Sequence, residues 1–217
     1  SEEMEYNVSA TWSSGNGLFG DMIIAASELE FDLGYDIAIN EFFFKNNAEV
    51  PDYIELVNYG DSDIDLTGWT LMGEDLSGTI SAGGYMLVAG EDPFFNADGD
   101  ELYAGEDIPN SIYADISLGT NSDEIDLLDA MGSEVDYVAY DGDTGWPVGS
   151  ANKGHAVELK NPALDNSDPT NWLSAGEDCE NEYMYNGDGE IEDFGSPTIQ
   201  NCNFSDDLIG CMNPNAC

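Results

Sequence analysis

The chain has 217 residues, which suits one domain with extensions or two small domains. Its 46 aspartates and glutamates stand against three lysines and no arginine, so the formal net charge is −43 at pH 7. Binding to nucleic acid or to an anionic membrane requires a basic surface, so this charge excludes both functions. It also excludes phosphate and carboxylate clamps that are built from arginine.

The composition nevertheless predicts a folded protein. Hydrophobic residues make up 41% of the chain and aromatic residues 11%, which supplies a core and argues against the disorder that high net charge otherwise indicates. The acidic residues are clustered along the sequence. Within a cluster the charges lie inside the screening distance, so we expect the protein to require a salty or divalent-rich medium.

The first 36 residues are predicted to be an extension that carries one strand. Its apolar positions alternate strictly and are Met4, Tyr6, Val8, Ala10 and Trp12. A glycine-rich hinge follows at 13–17, and residues 21–31 fit a helix and a strand equally well. The alternating strand has two possible partners: the edge of its own sheet, or the edge of the next molecule, which would build a homopolymer by β-augmentation.

Seven short apolar or alternating runs follow, separated by glycine, asparagine and aspartate. They lie at 37–44, 53–57, 69–71, 85–89, 124–128, 135–140 and 156–159. Residues 129–134 between two of these runs are typical of a hairpin turn. Seven short strands with turn signals between them predict an all-β fold of the β-sandwich type.

Several short motifs occur in a fixed order along these strands. They are Ile39-Asn40-Glu41, residues 52–58, residues 64–71 with Gly68-Trp69, residues 82–88, 125–129, 135–137 and 154–159, Asn171-Trp172, and Gly195-Ser196-Pro197 with Asn201. In this order they resemble the lamin tail domain family over residues 37–202. Ala156 and Lys160 depart from the pattern, because the family usually carries serine and arginine in this strand.

The resemblance implies an immunoglobulin-like β-sandwich at 37–202, preceded by the strand extension 1–36 and followed by a short disulfide-bonded extension at 203–217. The best-known members are nuclear filament proteins, but this sequence has no heptad rod and no basic import signal. It resembles instead the secreted prokaryotic members, which occur as appendages of surface proteins and extracellular hydrolases. Residues 210–217 also resemble a short cysteine-containing repeat of large secreted microbial proteins.

The four cysteines predict two disulfides. Cys179, Cys202, Cys211 and Cys217 all lie late in the chain, and no pair has the two-residue spacing of a zinc knuckle. We expect the pairs Cys179–Cys202 and Cys211–Cys217, one of three possible pairings. Disulfides indicate an oxidising compartment, and the chain begins at Ser1 rather than methionine, so we expect an extracellular or cell-surface location after removal of a leader peptide. Asn7 and Asn203 fit the N-glycosylation pattern.

Three acidic loops are candidate Ca²⁺ sites, because calcium takes six to eight oxygen ligands that such loops supply. Their candidate ligands are Asp61, Asp63 and Asp65 in the first loop, Asp98, Asp100 and Glu101 in the second, and Asn186, Asp188, Glu190, Glu192 and Asp193 in the third. The second lacks the sixth-position glycine of a helix–loop–helix calcium site, and the third departs from that pattern at both ends. The alternative for each loop is a solvated acidic turn.

Catalytic signals are absent from the sequence. His155 is the only histidine, and no serine lies in a nucleophile-elbow context. With 46 acids, chance carboxylate pairs carry no information about glycoside hydrolysis. We expect Trp69, Trp146 and Trp172 to pack in the core, with carbohydrate stacking as the alternative. Trp12 and the run 42–44 are candidates for a contact between molecules.

The sequence therefore predicts a secreted, non-enzymatic structural or cell-surface module. It would assemble with copies of itself into a fibre or layer through β-strand edges, and divalent cations would neutralise its acidic loops. The alternative is an accessory binding or targeting module of a larger secreted hydrolase or adhesin.

Overall fold

The computed structural model of the protein describes residues 35–44, 50–90 and 92–205. The predicted exchange strand with Asn7, and the cysteines Cys211 and Cys217, lie outside these residues, so they remain predictions. Among the described residues, no helix has the length and apolar character needed to cross a membrane.

The described residues form an all-β fold, as predicted. The strands are β1 Ile37–Phe43, β2 Tyr53–Asn58, β3 Ile64–Asp65, β4 Thr70–Leu71, β5 Glu74–Asp75, β6 Thr79–Ile80, β7 Tyr85–Ala89, β8 Phe94–Phe95, β9 Glu101–Leu102, β10 Ser111–Tyr113, β11 Ser122–Leu128, β12 Glu134–Asp141, β13 Val157–Leu159 and β14 Trp172–Ser174. Short 3₁₀ turns occupy Gly142–Thr144, Ser150–Asn152 and Pro169–Asn171.

Two sheets make the sandwich. The larger has six strands in the order β10-β7-β2-β1-β13-β14, and the smaller has four in the order β12-β11-β4-β5. Strand β1 lies between β2 and β13 and is antiparallel to both, whereas β10 runs parallel to β7. The hairpin between β11 and β12 turns through Gly132, whose positive φ of 78° suits a residue without a side chain. All seven predicted runs contain strands, and the hairpin turn is confirmed.

The main core lies between the two sheets. One face of the six-stranded sheet contributes Ile39 and Phe42, and the four-stranded sheet contributes Ile125, Val138 and Tyr140, all buried. The rings of Phe42 and Tyr140 stack with their centres 4.7 Å apart. Each such side chain contributes roughly 1.5–3 kcal/mol when it leaves water, so burial of this layer stabilises the sandwich.

A second core covers the opposite face of the six-stranded sheet. Phe43, Tyr53 and Leu87 point into it and meet Phe94 of β8 and Met184 from a later segment of the chain. Every residue of β1, β2 and β13 is therefore buried. Polar side chains on these three strands have no access to solvent and must find partners inside the protein.

The assignment of residues 42–44 to a contact between molecules was wrong. Phe42, Phe43 and Phe44 are each at most 1% exposed. Because both faces of this part of the chain are covered, Phe42 and Phe44 pack in the main core and Phe43 packs in the second core. The expectation that Trp69, Trp146 and Trp172 pack inside the domain is confirmed, since all three are buried.

Candidate functional site

Three glutamates lie side by side on the central strands of the six-stranded sheet. In the strand register Glu41 of β1 pairs with Glu55 of β2 on one side and with Glu158 of β13 on the other. All three are fully buried. Like charges directly opposite one another destabilise a sheet, and burial of a carboxylate costs free energy unless it is partnered. This glutamate row is therefore the most constrained polar feature of the described structure.

A C-terminal segment, here called the strap (residues 194–205), crosses over the glutamate row. It carries no charged residue, in a chain with 46 acids. The strap is held at both ends by backbone hydrogen bonds to the chain around β13: Ala156 N donates to Phe194 O at 2.8 Å, and Ser205 N donates to Lys160 O at 2.9 Å. Charge neutrality lets the strap approach three carboxyl groups without repulsion.

Each glutamate receives hydrogen bonds from the strap. Ser196 N donates to Glu41 Oε1 at 3.1 Å, and Thr198 N donates to Glu55 Oε2 at 2.5 Å. Asn203 donates to Glu158 Oε2 from its backbone at 3.0 Å and from its side chain at 2.7 Å. The strap thus replaces water as the partner of the buried carboxyl groups.

Gly195 allows the strap to come this close. A side-chain carbon at this position would lie 2.5 Å from the Tyr53 hydroxyl, 2.8 Å from Glu41 Oε1 and 2.9 Å from Ala156 Cβ. The space above the glutamate row therefore accepts only glycine. This close approach is the physical reason for the Gly-Ser-Pro motif noted in the sequence.

Asn40, Asn201 and a disulfide complete the attachment of the strap. Asn40 Nδ2 donates to Glu55 Oε1 at 2.8 Å and to Asn201 Oδ1 at 2.7 Å. Asn201 Nδ2 in turn donates to the carbonyls of Asn40 and Leu159, each at 2.9 Å. Cys202 is bonded to Cys179, which confirms this part of the predicted pairing.

Burial raises the pKa values of the three glutamates in the row. Burial, followed by the neighbouring Glu158 carboxyl, raises the pKa of Glu41 to about 7. Burial also raises the pKa of Glu158, and burial with the nearby Glu41 raises the pKa of Glu55 well above its usual range. Hydrogen bonds from the strap oppose these shifts but do not cancel them.

The first candidate calcium loop borders an open cleft. Asp61, Asp63 and Asp65 line it together with Tyr35 and other residues, around a volume of about 350 Å³. Asp63 Oδ1 accepts from Ala82 N at 3.0 Å, and Asp65 Oδ1 accepts from Thr67 N at 2.9 Å. Hydrogen bonds from Thr67 lower the pKa of Asp65. Asp65 is thus engaged in its own loop, and Asp63 bonds the turn that contains Ala82.

The second and third candidate loops lie against each other. Asn96 Oδ1 accepts from the backbone N–H groups of Asp98 and Asp100, and Asn186 Oδ1 accepts in the same way from Asp188 and Glu190. A side-chain carbon on Gly99 would lie 2.6 Å from Gly187 O, and one on Gly189 would lie 2.5 Å from Ala97 O. The two loops were predicted as separate sites, although both contain the pattern Asn-x-Asp-Gly-Asp/Glu, which indicates the same turn conformation. Residues 96–101 and 186–193 are here called the twin loops.

The acidic side chains of these twin loops are directed mainly toward solvent. Asp98, Asp100 and Glu101 are exposed, as are Asp188, Glu190 and Glu192, whereas Asp193 is buried. In the described part of the chain, the one group of three potential ligands whose atoms lie mutually within 4.8 Å is Glu158, Cys179 and Cys202. Because the two sulfurs are bonded to each other, this group is a disulfide beside a carboxyl group rather than a set of metal ligands.

Two further candidate residues have structural partners. His155 Nδ1 donates to Ala175 O at 2.7 Å, and its ring stacks on Phe194 with the centres 5.1 Å apart. Asn203, a glycosylation candidate, directs its side-chain amide inward to Glu158. Both residues therefore help to fix the strap.

The fold and the glutamate row define an immunoglobulin-like β-sandwich with a covered outer face. The Lamin Tail Domain family model matches residues 34–142, half of the chain, and the chain belongs to this family of non-enzymatic immunoglobulin-like domains. No curated protein matches the chain. The matched residues include Glu41 and Glu55. Glu158 and the strap follow them, although β13 and β14 continue the same sheet.

Proposed function

We propose that the protein is a secreted, non-enzymatic structural module that assembles with copies of itself at a cell surface. The observation that supports this proposal is the long outer strand of the smaller sheet. Strand β12 has eight residues and, within the described residues, pairs only with β11. Its other side offers backbone donors and acceptors to an added strand.

The N-terminal segment has the right length to be that strand. The alternating positions run from Met4 to Trp12, nine residues against the eight of β12. Pairing through backbone hydrogen bonds needs no complementary charge, which suits a chain with a net charge of −43. In this proposal the N-terminal strand of one copy adds to β12 of the next and builds a fibre or layer.

Divalent cations would screen the repulsion between such acidic copies. The twin loops place Asp98, Asp100, Asp188 and Glu190 in adjacent exposed turns, where carboxylate oxygens accumulate. Oxygen-rich turns of this kind suit Ca²⁺. Calcium is therefore proposed as the cation that supports assembly, outside the cell, where the disulfide also persists.

The experiment is sedimentation velocity and negative-stain microscopy of the full chain with Ca²⁺ and with EDTA. Replacing Tyr6 and Val8 with serine should abolish polymers. Replacing Asn7 and Thr11, which lie on the other face of the same predicted strand, with serine should leave the polymers intact. Equal behaviour of the two variants would disprove the strand exchange. Polymers that are indifferent to EDTA would disprove the role of the cation.

The second candidate function is that of an accessory binding or targeting module of a larger secreted hydrolase or adhesin. Tyr103 and Tyr113 favour it, because they expose 39% and 49% of their surface and border one hollow with Ala104 and Glu106. Exposed aromatic rings are typical of carbohydrate stacking. Binding of the monomer to insoluble polysaccharides, lost on Y103A/Y113A substitution, would support this function over assembly.

A further inference from the structure

The hydroxyl of Ser196 lies between two buried carboxyl groups. Ser196 Oγ is 2.7 Å from Glu41 Oε2 and 2.9 Å from Glu158 Oε1, and both distances are those of hydrogen bonds. A serine hydroxyl carries a single proton and can donate to only one of them. The second contact therefore requires a carboxyl group that donates to Ser196 Oγ, which means a carboxyl group that is protonated.

The remaining contacts restrict where this proton resides. Both oxygens of Glu55 accept from N–H groups, those of Asn40 and Thr198. Glu158 Oε2 accepts from Asn203, and Glu41 Oε1 accepts from the Tyr53 hydroxyl. The Tyr53 hydroxyl uses its proton to bond Glu41 Oε1, whereas Glu41 Oε2 and Glu158 Oε1 both face Ser196 Oγ, an oxygen that can accept a proton donated by a carboxyl group. The additional proton is therefore shared along the hydrogen-bonded series Glu41–Ser196–Glu158.

We propose that the strap is a proton-operated latch: one proton shared by Glu41 and Glu158 through Ser196 holds residues 194–205 on the sheet, and loss of this proton releases them. When both carboxyl groups are ionised, the hydroxyl bonds only one of them. The other carboxylate then directs a buried oxygen at the lone pairs of Ser196 Oγ with no proton between them, beside a second buried charge. The structure relieves this penalty by admitting water beneath the strap.

The groups around the row do not compensate the charge that appears on deprotonation. Strand β2 contributes Tyr53 and Glu55, strand β7 contributes Tyr85, and strand β13 contributes Glu158. His155 stacks on Phe194, the first residue of the strap, and bonds Ala175 O. Within the described part of the chain, none of the hydrogen bonds to the three carboxyl groups comes from a lysine. Each ionisation therefore adds negative charge beside negative charge, which strengthens the dependence on the proton.

The disulfide makes the release local and reversible. Cys202, in the strap, is bonded to Cys179, 23 residues earlier in the chain, and Gly195 N donates to Cys179 O at 2.7 Å. A released strap consequently stays tethered beside its own site and redocks when the proton returns. Release would uncover the outer face of the six-stranded sheet at the glutamate row.

Hydrogen exchange of the strap amides tests the latch in the full chain. The protection factors of Ser196, Thr198 and Asn203, corrected for the intrinsic effect of pH on exchange, should fall at least about tenfold as the pH rises from about 5.5 to about 9. In E41Q they should remain high, because the glutamine amide donates to Ser196 Oγ while its oxygen still accepts from Tyr53. E106Q removes the same charge from an exposed position and should follow the parent protein.

Protection that does not change with pH in the parent protein would overturn the latch, and so would identical profiles of E41Q and E106Q. Infrared spectroscopy of the unmodified protein provides a measurement that needs no variant. A protonated-carboxyl band should be present at about pH 5.5 and lost by about pH 9, and the protection of the strap should fall before the band disappears, because the opened strap releases the proton first. Absence of any protonated-carboxyl band at about pH 5.5 would also contradict the proposal.

Discussion

Glu41 and Glu158 pair directly across β1 and β13, and the hydroxyl of Ser196 bridges their carboxyl groups at 2.7 Å and 2.9 Å. Ser196 lies 155 positions from Glu41 in the sequence. The bridge therefore couples the end of the domain to its first strand. Perturbation of the bridge should alter stability, acidity and the mobility of the strap together.

The stability of the domain should fall as the pH rises. The pKa of Glu41 is about 7 in the folded state and near 4.5 when the chain is unfolded. Between these values the unfolded state loses its proton first, so the folded state binds more protons and stability decreases with increasing pH. The loss from this residue should reach roughly 3 kcal/mol by pH 7. Above pH 7 the contribution should stay constant at its lower level.

Urea unfolding of parent and E41Q at about pH 5 and pH 8 measures this effect. High salt in both samples screens the general repulsion of the surface charges. We expect E41Q to lose markedly less stability between the two pH values than the parent. Equal losses would show that Glu41 does not carry the pH dependence.

Substitution of Gly195 by alanine should destabilise the domain by about 1–3 kcal/mol, the usual cost of overpacking. The added carbon would meet the Tyr53 hydroxyl at 2.5 Å, and the buried strand cannot move away. G176A is the matched control, because nothing lies within 4 Å of a side-chain carbon at that glycine. Thermal unfolding of both variants checks the prediction, and similar melting temperatures would contradict it.

Removal of the Cys179–Cys202 disulfide should cost roughly 3 kcal/mol, the value expected for a loop of about 23 residues. The strap should also lose its tether, so its amides should exchange faster than those of β1. The variant C211S/C217S removes the other two cysteines and should keep the stability of the parent protein. A C179S/C202S variant whose strap remains as protected as in the parent would refute this role of the disulfide.

Replacement of Asn203 by aspartate should loosen the strap most at neutral pH. The change removes the side-chain donor that bonds Glu158 at 2.7 Å and places a further carboxyl group beside it. Loss of a bond to a buried charged group costs about 1–3 kcal/mol, and protonation in acid should recover part of it. Urea unfolding at about pH 4.5 and pH 7.5 measures the difference. N203D should resemble the parent more closely in acid, and an equal penalty at both pH values would be evidence against charge repulsion.

The inward position of Asn203 also bears on glycosylation. Its amide nitrogen is the atom that a glycan would occupy, and that atom is bonded to Glu158. We expect the folded protein to leave Asn203 unmodified when it is exposed to a glycosylating enzyme. Mass spectrometry of the peptide that contains this residue, from folded and from reduced and unfolded protein, gives the test. Equal occupancy in the two samples would contradict the buried position.

Much of the fold could be predicted from local sequence patterns. Side chains alternate between the faces of a strand, so an alternating run such as 135–140 can be recognised as a strand from the sequence. The turn residues before it likewise indicate the hairpin. The family motifs placed these strands in one sandwich. The same patterns failed at 42–44, because consecutive apolar residues do not reveal that a later segment covers the second face of β1.

The sequence by itself determined the all-β class and the exclusion of basic-surface functions, because composition and strand periodicity are local or summed properties. It favoured the pairing of Cys179 with Cys202 among three possibilities, and the structure decided it. The tertiary structure decided that Glu41, Glu55 and Glu158 form one buried row, that the strap covers it, and that the loops around Gly99 and Gly189 meet. These are consequences of strand register and of contacts between distant segments. The same glutamate would be a solvated charge in an open sheet, and only its burial beneath the strap makes it a site for a proton.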